Sequence, residues 1–179
     1  MFRSIVALIE PTGDPTGFAR EAGALADRTG ARLTLFAAAP TVRTCSPVFW
    51  AATPAAPETP FSLQQACDCE CEALLRRAAQ AVPEAVPVTM TVRRGRAYAS
   101  LHQEVDAAGH DLVILDGAQA GGLRRAAQLR FGRRCDAPVL RLRVTSRPGR
   151  RRRSGWPQGL EAVRAAIPAP HPSQHRPAA

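Results

Sequence analysis

The chain predicts an α/β domain built on an open, doubly wound parallel sheet, and three observations carry that prediction. Two short runs are wholly apolar, Ile5 to Ile9 and Leu112 to Leu115; they are too short for helices and β-branched enough for strands covered on both faces. Stretches of helix length with apolar residues at helical spacing alternate with such runs along most of the chain. The segment from His110 to Arg143 shows the whole unit: strand, glycine loop, helix, strand. Crossovers of this kind are right-handed, which puts the glycine loop at the carboxyl edge of the sheet, where open α/β sheets bind ligands.

In chain order, Ile5 to Ile9 is the first strand, ended by Glu10-Pro11. Asp14 is placed to cap a helix that has Pro15 at its first position, where a missing N–H is harmless. Phe18, Ala22, Leu25 and Ala26 form that helix's apolar stripe, and Gly30 stops it. Leu33, Leu35 and Phe36 mark the second strand. Residues 39–61 hold Pro40, Pro47, Pro54, Pro57 and Pro60 and read as a mobile connection in which Phe49-Trp50 is either a packing anchor or a lid. A helix is expected over Ser62 to Val82, with Leu63, Cys67, Cys71, Leu74, Ala78 and Val82 along one stripe. The third strand is Val86 to Val92, followed by a helix over Ala97 to Ala108 with Leu101 and Val105 inward and Gly109 at its end. The fifth strand is Pro138 to Arg143, where Leu140 and Leu142 alternate with Arg141 and Arg143. Five alternations of strand and helix define a domain over residues 1–143. Residues 144–179 form an Arg/Pro-rich tail whose composition cannot offset the entropy of ordering.

Composition removes several chemistries. All 24 basic residues are Arg, so there is no phosphate-loop lysine, Schiff base or Ser-Lys dyad. The formal charge of +9 divides into +3 over residues 1–143 and +6 over the tail, so the high isoelectric point describes the tail more than a binding face. The apolar start is too short for a signal peptide, and no run reaches the roughly 18 residues of a membrane span, so a cytoplasmic, membrane-free protein is expected. Five cysteines in a chain of this size read as free thiols. Cys67, Cys69 and Cys71 cannot share a helix face, so they read as core residues with Cys69 outward rather than as a metal site. The histidines show no ligand spacing and no nucleophile elbow is present; no catalytic residue and no metal site are expected.

With the elements in order, the opening IVALIE strand, ALADRTGARLTLF, the Val92-to-Gly95 turn, and GHDLVILDG followed by GGLRR and a final APVL form a set. On that set, residues 3–143 resemble the universal stress protein family. The resemblance implies a Rossmann-like five-stranded sheet of order 3-2-1-4-5 with helices on both faces. It also implies homodimers, here through the fifth strand, and either ATP binding or, in the class typified by universal stress protein A, none.

Nucleotide-binding members carry Gly, two residues, Gly, nine residues, then Gly with Ser or Thr. Gly117 matches the first glycine; Ala120 stands at the second, unless Gly121 substitutes by slipping one residue; the distal Gly-Ser has no counterpart after Arg124-Arg125, although Gly117 and the Gly121-Gly122 pair could still form part of a phosphate cradle. Glu10 aligns with the acidic residue that contacts adenine, and Ala38 with a base-packing position on the second strand. Glu10, Ala38, Gly117, Gly121, Gly122 and Arg124 therefore form a candidate nucleotide site in degraded form. The leading reading is a stress-response or regulatory protein that acts by binding an unidentified protein partner, is not an enzyme and has no cofactor, with at most weak ATP binding. The alternatives are an ATP-binding universal stress protein with weak nucleotide hydrolysis, and a nucleic-acid-associated protein using its Arg tail; the scarcity of aromatics in that tail makes nucleic acid the minor alternative.

Overall fold

The computed structural model describes residues 2–41, 60–117 and 122–144. The Phe49-Trp50 pair, Gly121 and the tail lie outside the described residues. Nine elements follow in order: β1 (Ser4–Leu8), α1 (Pro15–Thr29), β2 (Arg32–Ala39), α2 (Pro60–Ala79), β3 (Val88–Arg94), α3 (Ala97–Ala108), β4 (Leu112–Asp116), α4 (Gly122–Arg134) and β5 (Val139–Leu142). The strands form one sheet in the order β3-β2-β1-β4-β5, and all four neighbouring pairs are parallel.

Alternation along the central strands sends side chains to two separate cores. Ile5, Ala7, Leu33, Leu35, Leu112 and Ile114 face α1 and α2, where Phe18, Ala22, Leu75 and Ala78 meet them. Val6, Leu8, Phe36, Val113 and Leu115 face α3 and α4, where Leu101, Val105 and Phe131 meet them. Burying each of the larger side chains contributes about 1.5–3 kcal/mol, which explains why β1 and β4 contain no polar residue between Ile5 and Leu8 or between Leu112 and Leu115.

The helix ends obey local chemistry. The Asp14 carboxylate accepts from the Gly17 N–H at 2.9 Å, and Gly30 closes α1 at φ 65°, a conformation that costs glycine nothing. Gly23 allows α1 to pass close to the turn after α2, since a Cβ there would lie 2.8 Å from Val82 Cγ1 and Pro83 Cδ.

Several boundaries differ from the sequence reading. α2 stops at Ala79 and not at Val82, because Pro83 disfavours helical geometry in the residue before it. β3 begins at Val88, after Pro87, and continues to Arg94, paired in register with Ala39 at the end of a longer β2. β5 is shorter than Pro138 to Arg143. Its expected core face is half realised: Leu142 packs against the α1-side core, but Leu140, opposite Ile114 at the sheet's edge, is 38% exposed. Arg141 and Arg143 are exposed as expected.

Candidate functional site

In the order β3-β2-β1-β4-β5 the chain leaves β1 toward β2 on one side and returns to β4 on the other. The crevice between the carboxyl ends of β1 and β4 is therefore the topological switch point, the place where such sheets receive ligands. Glu10 follows β1 there, Gly117 follows β4, and Gly122 and Arg124 open α4.

An internal bridge spans this crevice. The Arg124 guanidinium forms an ion pair with the Glu10 carboxylate and donates from Nη1 to Thr12 Oγ1 at 2.8 Å. Both charged side chains are largely withdrawn from water, at 26% exposure for Arg124 and 14% for Glu10. Burial works against the arginine's charge, but hydrogen bonding and attraction from Glu10 outweigh it and hold Arg124 firmly protonated. α4 carries no acid of its own, so Glu10 supplies the counter-charge from a different element.

Behind the bridge lies a small polar core. Gln128, one turn beyond Arg124 and fully buried, donates from Nε2 to the Asp116 carbonyl at 3.0 Å and so fastens α4 to the end of β4. Its Oε1 and the Tyr98 hydroxyl are both buried without a well-aligned partner. Burial raises the Tyr98 pKa, with the Glu10 charge adding and the adjacent Gln128 and Arg124 opposing. The Tyr98 ring leans on Phe131, centroids 5.9 Å apart, which ties the polar core to the apolar one.

The glycine expected to face phosphate is used by the protein itself. The Gly117 N–H donates to the Leu142 carbonyl at 2.7 Å, and a Cβ on Gly117 would lie 3.3 Å from both that oxygen and Arg143 Cγ. Its missing side chain therefore lets β5 dock on β4. Five residues separate Asp116 from the start of α4 at Gly122. Ala38 does not join the Glu10–Arg124 cluster; it pairs in register with Arg93 and packs against the α3-side core.

Thr12, Tyr98 and Gln128 were not singled out from the sequence. Gln128 was the detectable one, a lone polar residue at i, i+4 from Arg124 on the face of α4 that also carries Phe131. In the Cys67-Asp-Cys-Glu-Cys71 segment Cys67 is buried and Cys69 exposed, as the helical spacing predicts. Asp68 pairs with Arg94 at 2.6 Å, which holds its carboxyl below the usual carboxylate range. A groove of about 360 Å³ lies away from the switch point, lined by Glu72, Leu75, Arg76, Met90 and Val92.

No protein-family model matches the chain, and neither does any curated protein. Solved structures do match. A universal stress protein, UspA, from Lactobacillus plantarum superposes with a TM-score of 0.62 at 16% identity, covering 79% of this chain and 98% of that one. A universal stress protein family member from Burkholderia pseudomallei gives 0.55 at 17% identity, covering 80% and 97%. A universal stress protein in complex with cAMP gives 0.51 at 18% identity, covering 79% and 97%. The chain has the Rossmann-like fold of the universal stress proteins.

Proposed function

We propose that this chain is a regulatory protein of universal stress type that works in the cytoplasm by binding a protein partner, without tight ATP binding and without turnover. The observation that carries the reading is the Arg124 bridge to Glu10 and Thr12 across the switch point. A nucleotide that drew on either charge between β1 and β4 would first have to break this largely desolvated ion pair. The phosphate cradle is equally committed: the Gly117 N–H is bound to Leu142, and the short loop lacks the distal Gly-Ser that would hold outer phosphates. Losing two or three charge-assisted hydrogen bonds of about 1.5–3 kcal/mol each weakens binding by orders of magnitude.

One neighbour of this fold was solved with cAMP. A nucleotide with a single phosphate does not need the missing distal residues, so it belongs in the test beside ATP. Isothermal titration with Mg-ATP, AMP and cAMP is expected to show no ATP binding below the high micromolar range. A low-micromolar ATP constant would overturn the proposal in favour of a nucleotide-dependent role.

A further inference from the structure

We propose that the outer side of α4 and the adjoining face of β5 form a sequence-independent docking surface for double-stranded nucleic acid. The starting point is a segregation of charge hidden by the net of +3 over residues 1–143. Residues 122–143 hold seven Arg and only Asp136 in opposition, a net of +6, whereas residues 1–121 hold ten Arg and thirteen acids, a net of −3. A coding bias toward arginine would raise Arg everywhere; it does not expel acids from one helix and strand. The basic surface therefore belongs to the folded domain as well as to the tail.

The fold gathers these charges on one side. α4 turns Gln128 and Phe131 inward and leaves Arg125, Arg130, Arg133 and Arg134 exposed. Val139 of β5 faces α4, its Cγ2 3.9 Å from where a Cβ on Gly132 would stand. Arg141 and Arg143 alternate with Val139 at period two, so they lie on that same face, and both are exposed. None of these six arginines has an acidic partner among the described residues, in contrast to Arg76, Arg93, Arg94 and Arg124. Arg130 repels Arg133 and Arg134 at helical i, i+3 and i, i+4 spacing, an arrangement that destabilises a helix unless anions offset it.

Nucleic acid fits this surface better than other polyanions. The four arginines from Arg125 to Arg134 span about 14 Å of helix, along which a duplex presents roughly eight phosphate charges over its two strands, and about half of these face one side, matching the four. The aromatic on this side, Phe131, is buried, so bases have nothing to stack on and the contact falls to the phosphate backbone of a duplex. A membrane surface would require an apolar stripe, but the inward side of α4 is packed on the sheet, and among the described residues the exposed large apolar residue on this side is Leu129.

The test uses the full chain and a fluorescent random duplex of about 20 base pairs over a salt series, so that the log–log slope counts the phosphates released. R130Q/R133Q/R134Q/R141Q is expected to bind about tenfold or more weakly and to lower the slope by roughly three and a half units, at about 0.9 per phosphate for four arginines. R150Q/R151Q/R152Q/R153Q is the comparison for the tail. Retained affinity in the first variant, with loss only in the second, overturns the proposal, as does tighter binding to anionic vesicles that the duplex cannot displace. In the unaltered protein, the duplex is expected to protect Arg130, Arg133 and Arg134 from phenylglyoxal, read by mass spectrometry. Protection confined to Arg150–Arg153, or none, also overturns it. A patch variant melting no lower than the parent shows that lost affinity is not lost fold.

Discussion

Replacing Arg124 with Ala tests whether the bridge across the switch point is a structural device. The substitution strands a Glu10 carboxylate that is 14% exposed and frees Thr12 Oγ1 from its donor. Removing one partner of a fully buried ion pair costs 3–5 kcal/mol; with Arg124 itself 26% exposed, water relieves part of this, and about 2–3 kcal/mol is expected. The double variant Glu10→Gln with Arg124→Gln leaves no stranded charge and should cost about 1 kcal/mol or less. In urea, with a slope of about 2 kcal/mol per molar for a domain of this size, the gap of about 1–2 kcal/mol should make the single variant unfold about 0.5–1 M earlier than the double. A single variant within about 0.5 kcal/mol of the parent would show the pair to be a solvated surface contact and refute the argument from desolvation. Titration of the double variant with Mg-ATP then separates two causes. Binding regained would identify the bridge as the barrier; binding still absent would place the defect in the short loop and its missing Gly-Ser. Gly117→Val cannot serve this purpose, because its Cβ would stand 3.3 Å from Arg143 Cγ and the Leu142 carbonyl and press on β5 whether or not a nucleotide binds.

Three further outcomes are expected. Iodoacetamide should label exposed Cys69 well before Cys71, whose thiol is pushed by burial to about 11, and before buried Cys67; equal rates on peptide mapping would contradict the α2 packing. His110 is buried, with Nδ1 2.8 Å from Ser4 Oγ and Nε2 unpartnered, and burial lowers its pKa below the ordinary 6.5. Its neutral form contributes stability that is complete above pH 6.5 and is lost as pH falls through the depressed folded value, so His110→Gln should flatten that limb of a stability profile; an unchanged limb would refute it. His102 has the opposite sign, its pKa raised by the Arg134 carbonyl and then Asp106, but it is open to water and should matter less. Finally, β5 is an edge with exposed Leu140, and a homodimer through that edge is expected by sedimentation at micromolar concentration; Leu140→Asp should yield monomer, and a monomeric parent would end the proposal.

Legibility in the sequence followed how local the cause was. β1 and β4 are buried on both faces, so their runs are apolar without interruption and identify themselves; Asp14-Pro15, Gly30 and Gly109 mark helix ends through chemistry confined to a few residues. The last residues of β2 were hidden because Ala37, Ala38 and Ala39 carry no strand preference and precede prolines; only pairing with β3 makes them strand. At the switch point the aligned positions were right about place and silent about partnership. Glu10 and Arg124 are 114 positions apart, and nothing along the chain says that one neutralises the other. Gly117 read as a phosphate glycine because its other use, close approach of β5, appears only in three dimensions. The charge of α4 was visible residue by residue, but averaging over the whole domain cancelled it against acids elsewhere.

α4 joins the two proposals because its opposite sides face opposite demands. Among the described residues its inner side offers the sheet one large apolar anchor, Phe131, and Gln128 to Asp116 and Arg124 to Glu10 add polar attachment. Its outer side bears like charges that repel one another and favour leaving the helical array unless anions lie against them. Anything that pulls Arg124 from Glu10 would therefore weaken the docking of the helix that presents the basic surface, and polyanion binding, by relieving the outer repulsion, would tighten the same helix against the crevice. The two sites are coupled if the Arg124→Ala variant loses duplex affinity although Arg124 is not among the exposed arginines, and they are independent if affinity and salt slope survive that change.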